Sequence, residues 1–131
     1  MAPLPSAGSL HLLVAEDEPH IRRVLTTLLD ASGFQVEAVA DGSEALAAVR
    51  SDRPFSLLIL DIVLPGCSGL DVLREVRTLP HRQGLPVIIL TAKGQDIDRE
   101  QAFALGANAF MTKPFSPKKL LKQADDLVAP R

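Results

Sequence analysis

The sequence predicts an α/β fold: a doubly wound, five-stranded parallel sheet with five helices. Three observations carry that prediction. Apolar runs of four to six residues alternate with segments of helical period, which is how βαβ units read. The runs are nearly continuous, as strands covered on both faces are. Right-handed crossovers between successive parallel strands then favour the doubly wound arrangement.

Each element has its own warrant. Leu12–Ala15 is the first apolar run. A helix from Pro19 to about Ser32 follows, because Pro19 suits a first helical position. Ile21, Val24, Leu25, Leu28 and Leu29 form one stripe at helical spacing, and Gly33 is the stop. Phe34–Val39 alternates more than the other runs, as an edge strand does. The second helix covers Ser43–Arg50, with Ala45, Leu46 and Val49 inward. Leu57–Leu60 is the third strand. The third helix spans Ser68–Thr78, with Leu70, Leu73 and Val76 inward. Val87–Leu90 is the fourth strand, and a weaker helix from Asp96 to Leu105 ends at Gly106. Ala109–Thr112 is the fifth strand. Ser116 caps the last helix and Pro117 occupies its first turn. Its stripe is Leu120, Leu121, Ala124, Leu127 and Val128. No repeat, low-complexity tract or second domain is visible. Residues 1–9 read as a flexible leader, 10–128 as one domain and 129–131 as a tail.

Composition narrows the function. A chain of 131 residues that is 47% hydrophobic can bury a core as one domain. A net charge of -2 gives no reason to expect nucleic-acid binding, which usually needs a basic face. One cysteine excludes an internal disulfide framework and fits a reducing cytoplasm. No apolar run approaches the roughly 18 residues of a membrane span, and residues 1–9 lack the basic start and apolar stretch of a signal peptide.

Four of the runs end on residues with chemistry: Glu16-Asp17, Asp61, Thr91 and Lys113-Pro114. Neighbouring parallel strands bring such ends to one edge, where ligands bind in open α/β sheets. Taken singly, each acid reads as a solvated loop residue, Thr91 as a helix cap and Lys113 as a surface lysine. Together they read as a site. Crowded carboxylates repel, and a hard divalent cation such as magnesium relieves the repulsion through oxygen ligands. A carboxylate can also attack phosphorus and form an aspartyl phosphate. That chemistry needs positioning and charge neutralisation. Lys113 offers a compact cation, Thr91 a hydroxyl, and the loops after Asp61 and Thr91 backbone amides. Proline after Lys113 allows a cis or a trans bond. Gly66 and Gly69 supply turns around Cys67, which reads as a packing residue. His11, His20 and His81 show no ligand spacing. The lysines at 118, 119 and 122 read as the wet face of the last helix.

In order and spacing these motifs resemble the receiver domain of a two-component response regulator, of chemotaxis-type, single-domain-like form. They are Glu16-Asp17, Asp61-Ile62-Val63-Leu64-Pro65 with Gly69, Thr91-Ala92, Gly106-Ala107 and Phe110-Met111-Thr112-Lys113-Pro114-Phe115. The resemblance spans Leu10 to Val128. It implies a flavodoxin-like fold with strand order 2-1-3-4-5. It implies Asp61 as phosphoacceptor, with Mg2+ held by Glu16, Asp17, Asp61 and the backbone carbonyl of Val63. It implies Lys113 against the phosphoryl group, and Thr91 with Phe110 as a switch pair. Its partners would be a sensor histidine kinase or phosphotransfer protein and a downstream protein that binds the fourth helix, fifth strand and fifth helix. The module would be cytoplasmic, a monomer or a phosphorylation-dependent dimer, with no direct nucleic-acid contact. It would catalyse only its own phosphorylation and dephosphorylation.

Some positions depart from the family pattern. Asn108-Ala109 stands where many DNA-binding relatives carry acids, and Cys67 stands where methionine is frequent. Val63 and Lys93 occupy positions that tune dephosphorylation, and they imply a longer-lived phosphorylated state than in the fast chemotaxis-type members. Three rivals fit less well. A phosphatase with an aspartyl-phosphate intermediate wants an acid at position 63. A flavin module wants hydroxyls and glycine after the first strand. A non-phosphorylated interaction domain would be more credible if an acid or Lys113 were missing.

Overall fold

Five parallel strands form one sheet in the order β2-β1-β3-β4-β5, the order the resemblance implied. The computed structural model describes residues 10–92 and 95–128. The leader at 1–9, the tail at 129–131 and Lys93 lie outside the described residues. Along the chain the elements are β1 (His11–Ala15), α1 (Pro19–Ala31), β2 (Gln35–Val39), α2 (Gly42–Arg50), β3 (Phe55–Leu60), α3 (Gly69–Thr78), β4 (Val87–Thr91), α4 (Asp96–Ala104), β5 (Ala109–Thr112) and α5 (Pro117–Val128).

The continuous apolar runs have a direct cause. Successive side chains of a strand point to opposite faces. Leu13, Leu58, Leu60, Val87 and Ile89 pack on one face with Ala45, Val49, Leu73, Val76 and Ala102 of α2, α3 and α4. Leu12, Val14, Leu57, Ile59, Ile88 and Leu90 pack on the other with Leu25, Leu29, Leu120 and Ala124 of α1 and α5. Both faces are covered, so both parities must be apolar. β2 pairs only with β1, as an edge strand does, and it is less buried than the other strands, with Gln35 and Ala38 exposed.

Capping chemistry sets where α2, α3 and α5 start. Asp41 accepts from the amide of Glu44 at 2.7 Å, so α2 begins at Gly42, one residue before Ser43. Ser68 accepts from the amide of Asp71 while the Asp71 carboxylate accepts from the amide of Ser68. This reciprocal pair makes Ser68 the cap and Gly69 the first helical residue. Ser116 caps α5 as expected, accepting from the amide of Lys119 at 3.3 Å.

Candidate acidic site at the carboxyl edge of the sheet

The register brings the distant residues together. Ala15 pairs with Leu60 across β1 and β3, and Leu60 pairs with Ile89 across β3 and β4. Glu16 and Asp61 therefore leave the sheet side by side, at the point where the strand order reverses. Backbone bonds fix that exit: the amide of Asp61 donates to Ala15 O at 3.1 Å, and the amide of Glu16 donates to Val39 O at 3.1 Å. Thr91 ends β4, and its carbonyl accepts from the amide of Lys113 at 2.9 Å. Glu16, Asp17, Glu18, Asp61, Val63, Thr91, Ala92 and Lys113 line one open cleft of about 400 Å3. The Lys113–Pro114 bond is cis.

Charge is concentrated and shielded in this cleft. Glu16 is 1% exposed and Asp61 6% exposed, whereas Asp17 lies open to solvent. Lys113 Nζ pairs with Glu16 Oε1 and stands 2.8 Å from Asp61 Oδ2. Asp61 Oδ1 accepts from the amide of Val63 at 3.1 Å. Burial raises the Glu16 carboxyl above its usual range, and the hydrogen bonds from Lys113 and the Glu18 amide offset that only in part. Burial alone would lower the Lys113 ammonium, but Asp61 and Glu16 together outweigh it and the net shift is upward. One lysine thus answers two buried carboxylates, with Asp17 beside them.

The donor set fits a hard cation. Glu16, Asp17 and Asp61 each offer an oxygen within 4.8 Å of the others. All three are carboxylates, the ligand type that magnesium and its relatives take. Gly69 keeps this edge in place for a reason the sequence did not disclose. Gly66 has φ +87 and makes a turn, as expected, but Gly69 has no positive φ. Its amide donates to Ile62 O at 2.8 Å, and a Cβ there would lie 1.9 Å from Asp61 O. Gly69 is required for close approach, not for turning.

Phe110 is not in the acidic cleft. It lines a neighbouring groove with Arg99, Met111, Thr112, Pro114, Phe115, Ser116 and Lys119. The Arg99 guanidinium sits 5.5 Å from the Phe103 ring centre and 5.9 Å from that of Phe110. Cys67 is half-buried beside α2, and burial raises its thiol, consistent with a packing role. His81 Nε2 meets Ser51 O at 2.9 Å, a loop contact.

Sequence reasoning missed four supporting side chains. Glu18 caps α1 by accepting from the amides of His20 and Ile21 at 3.2 and 2.7 Å. Arg22 Nη1 donates to Glu16 O and Asp17 O at 3.0 and 3.3 Å. Arg77 and Arg82 bind loop carbonyls at the opposite end of the sheet. An acid before Pro19 was the available signal for Glu18. Arginines that bind carbonyls leave no pattern in the sequence.

A doubly wound sheet with three acids and a lysine at its switch point defines an α/β domain with an acidic site at its carboxyl edge. The comparisons make the class specific. The family described as response regulator receiver domain matches residues 12–125. This chain belongs to that family. The chain is 41% identical over 110 residues to the DNA-binding response regulator MtrA of Mycolicibacterium smegmatis, covering 84% of this chain and 46% of that relative. It spans about half the length of the curated relatives it matches. Among solved structures, a response regulator from Chloroflexus aurantiacus superimposes with TM-score 0.86 at 32% identity, covering 92% of this chain and 98% of that one. The receiver domain of a sensor histidine kinase from Pseudomonas aeruginosa superimposes with TM-score 0.84 at 29% identity, covering 92% and 98%. That structure has a magnesium ion coordinated in its active-site cleft. Among the described residues, no helix is long and apolar enough to cross a membrane.

Proposed function

We propose that this domain is a phosphorylation-operated switch in which Asp61 accepts a phosphoryl group from a phosphohistidine. The donor is a sensor histidine kinase or phosphotransfer protein. The observation that carries the reading is Lys113 Nζ at 2.8 Å from Asp61 Oδ2, inside a cleft shared with Glu16, Asp17 and Thr91. Glu16, Asp17, Asp61 and the carbonyl of Val63 would hold Mg2+, which when bound supplies positive charge against the phosphoryl oxygens.

The chain's own groups do the rest. Asp61 Oδ2 forms the new bond to phosphorus as the bond from phosphorus to the donor imidazole nitrogen breaks. The imidazole leaves with the electron pair. The amide of Val63 fixes Asp61 Oδ1, which holds the carboxylate in one orientation. Lys113 gives up its hold on the free carboxylate and follows the charge onto a phosphoryl oxygen. The Thr91 hydroxyl donates to another. The new charge of about -1.5 to -2 draws Thr91 toward it. Phe110, now in the neighbouring groove, turns inward to fill the space, and the surface of α4, β5 and α5 changes for a protein partner.

The domain is in this reading a switch and not a turnover enzyme. It acts in the cytoplasm as a monomer or a phosphorylation-dependent dimer. A net charge of -2 supports protein contacts for this domain over direct nucleic-acid contacts. The named relatives include DNA-binding regulators about twice its matched length. Val63 lines the cleft two residues after Asp61, and in this reading its apolar side chain hinders an attacking water. The phosphorylated state is therefore expected to outlast the seconds scale, and decay within seconds at neutral pH with magnesium would contradict this.

The test is intact mass after incubation with acetyl phosphate, with and without magnesium, for wild type and Asp61→Asn. The reading expects a magnesium-dependent gain of one phosphoryl group that is lost in the variant. No gain with acetyl phosphate or with a phosphohistidine donor would overturn it.

A further inference from the structure

We infer that Arg22, which lies on α1 outside the carboxylate cluster, is the positioning residue that sets Glu16 and Asp17 for cation binding. The inference rests on the reading of Glu16, Asp17 and Asp61 as a metal site. Glu16 and Asp17 sit in the short connection between Ala15 and Pro19. The amide of Glu16 is held by Val39 O, and the two peptide planes that follow, carrying the carbonyls of Glu16 and Asp17, lie beyond the strand ladder. Rotation of either plane would swing the attached side chain away from Asp61.

Arg22 removes that freedom. Its Nη1 donates to Glu16 O at 3.0 Å and to Asp17 O at 3.3 Å. One rigid guanidinium therefore fixes two successive carbonyls. Its own amide donates to Glu18 O at 2.9 Å, tying the clamp to the first turn of α1. The amide of Glu18 donates to Glu16 Oε2 at 3.0 Å, while Lys113 engages Oε1. Both carbonyls turn toward the arginine, and both side chains are left at the cleft.

Two roles for this arginine predict opposite signs. A cation beside the site repels a divalent ion, so a purely electrostatic Arg22 would weaken binding and its removal would tighten it. A positioning Arg22 strengthens binding, because groups that fix a metal's ligands typically cost about tenfold or more in affinity when lost.

The experiment titrates Mn2+ into wild type, Arg22→Met and Arg22→Lys, following free Mn2+ by electron paramagnetic resonance. Amide hydrogen exchange is read on the metal-free proteins. Weakening of about tenfold is expected in Arg22→Met, with Arg22→Lys in between because an ammonium can still donate to one carbonyl. Exchange is expected to quicken at residues 16–18 while β3 and β4 stay protected, which a general loss of stability would not produce. Equal or tighter Mn2+ binding in Arg22→Met, or unchanged exchange at 16–18, would overturn the inference. Wild type that binds no Mn2+ would overturn the metal-site reading itself, and this inference with it.

Discussion

The two ends of the sheet both use cations to bind oxygens, and they do it to opposite effect. At the amino-terminal end, Arg82 donates to Val49 O, Ser51 O and Arg53 O at 2.9, 2.8 and 2.7 Å and stacks 5.2 Å from the Phe55 ring centre. Arg77 donates to Gly106 O and Leu85 O at 2.7 and 2.8 Å and to Asn108 Oδ1 at 3.1 Å. These oxygens are neutral, and the networks stitch loops together. At the carboxyl end, Lys113 faces two buried carboxylates with Asp17 beside them. There acid outnumbers base. The first arrangement is complete in itself and serves stability. The second leaves negative charge unanswered and is suited to taking up a cation or a phosphoryl group.

Removing the Arg82 side chain should break this contrast most visibly. Arg82→Met deprives three carbonyls, one in the last turn of α2 and two in the loop after it, of their donor and should cost about 3 kcal/mol in urea unfolding. The folded fraction should still take up one phosphoryl group. Arg77→Met should behave alike at about 2 kcal/mol, since water can reach part of its network. Lys113→Met should differ in phosphoryl uptake. Its stability cost should be about 3 kcal/mol, because its loss leaves two buried carboxylates without their cation. Phosphoryl uptake from acetyl phosphate should fall by about 100-fold or more, as when a charged group that meets the transition state is lost.

The smallest effect is in pH, and its sign is set by burial of Glu16. A carboxyl raised in the folded state binds its proton more tightly there than in the unfolded chain. In metal-free protein its contribution to stability is therefore present at low pH. It is lost as pH rises from the ordinary 4.5 through the raised folded value. Glu16→Gln should flatten that decline in urea midpoints measured across the acid range. Lys113 contributes the other limb, with its stabilisation present at neutral pH and lost on raising pH above the ordinary 10.5 through its raised value.

Legibility in the sequence followed the same division. The carboxyl edge was readable because each candidate site residue follows or ends an apolar run, and a parallel sheet must align those ends. Glu16, Asp17, Asp61, Thr91 and Lys113 all lie where strand periodicity placed them. The amino-terminal end was opaque. Arg77 and Arg82 look like ordinary surface arginines, and only three-dimensional proximity reveals the carbonyls they hold. Arg22 hides for the same reason, in a helix whose apolar stripe draws attention to other positions. Gly69 was noticed for the wrong property, since crowding against Asp61 O leaves no trace in a sequence. Phe110 was legible as a residue, but its place in a groove beside the cleft, with Arg99 of α4 over its ring, was not.

The most direct test of the central claim is to locate the modified residue. Protein treated with acetyl phosphate and magnesium would be reduced with borohydride, which converts an aspartyl phosphate to homoserine, and its peptides would be sequenced by tandem mass spectrometry. Homoserine at position 61 alone is the predicted result. Homoserine at position 17, or none anywhere in a phosphorylated sample, would contradict the assignment of Asp61 as acceptor.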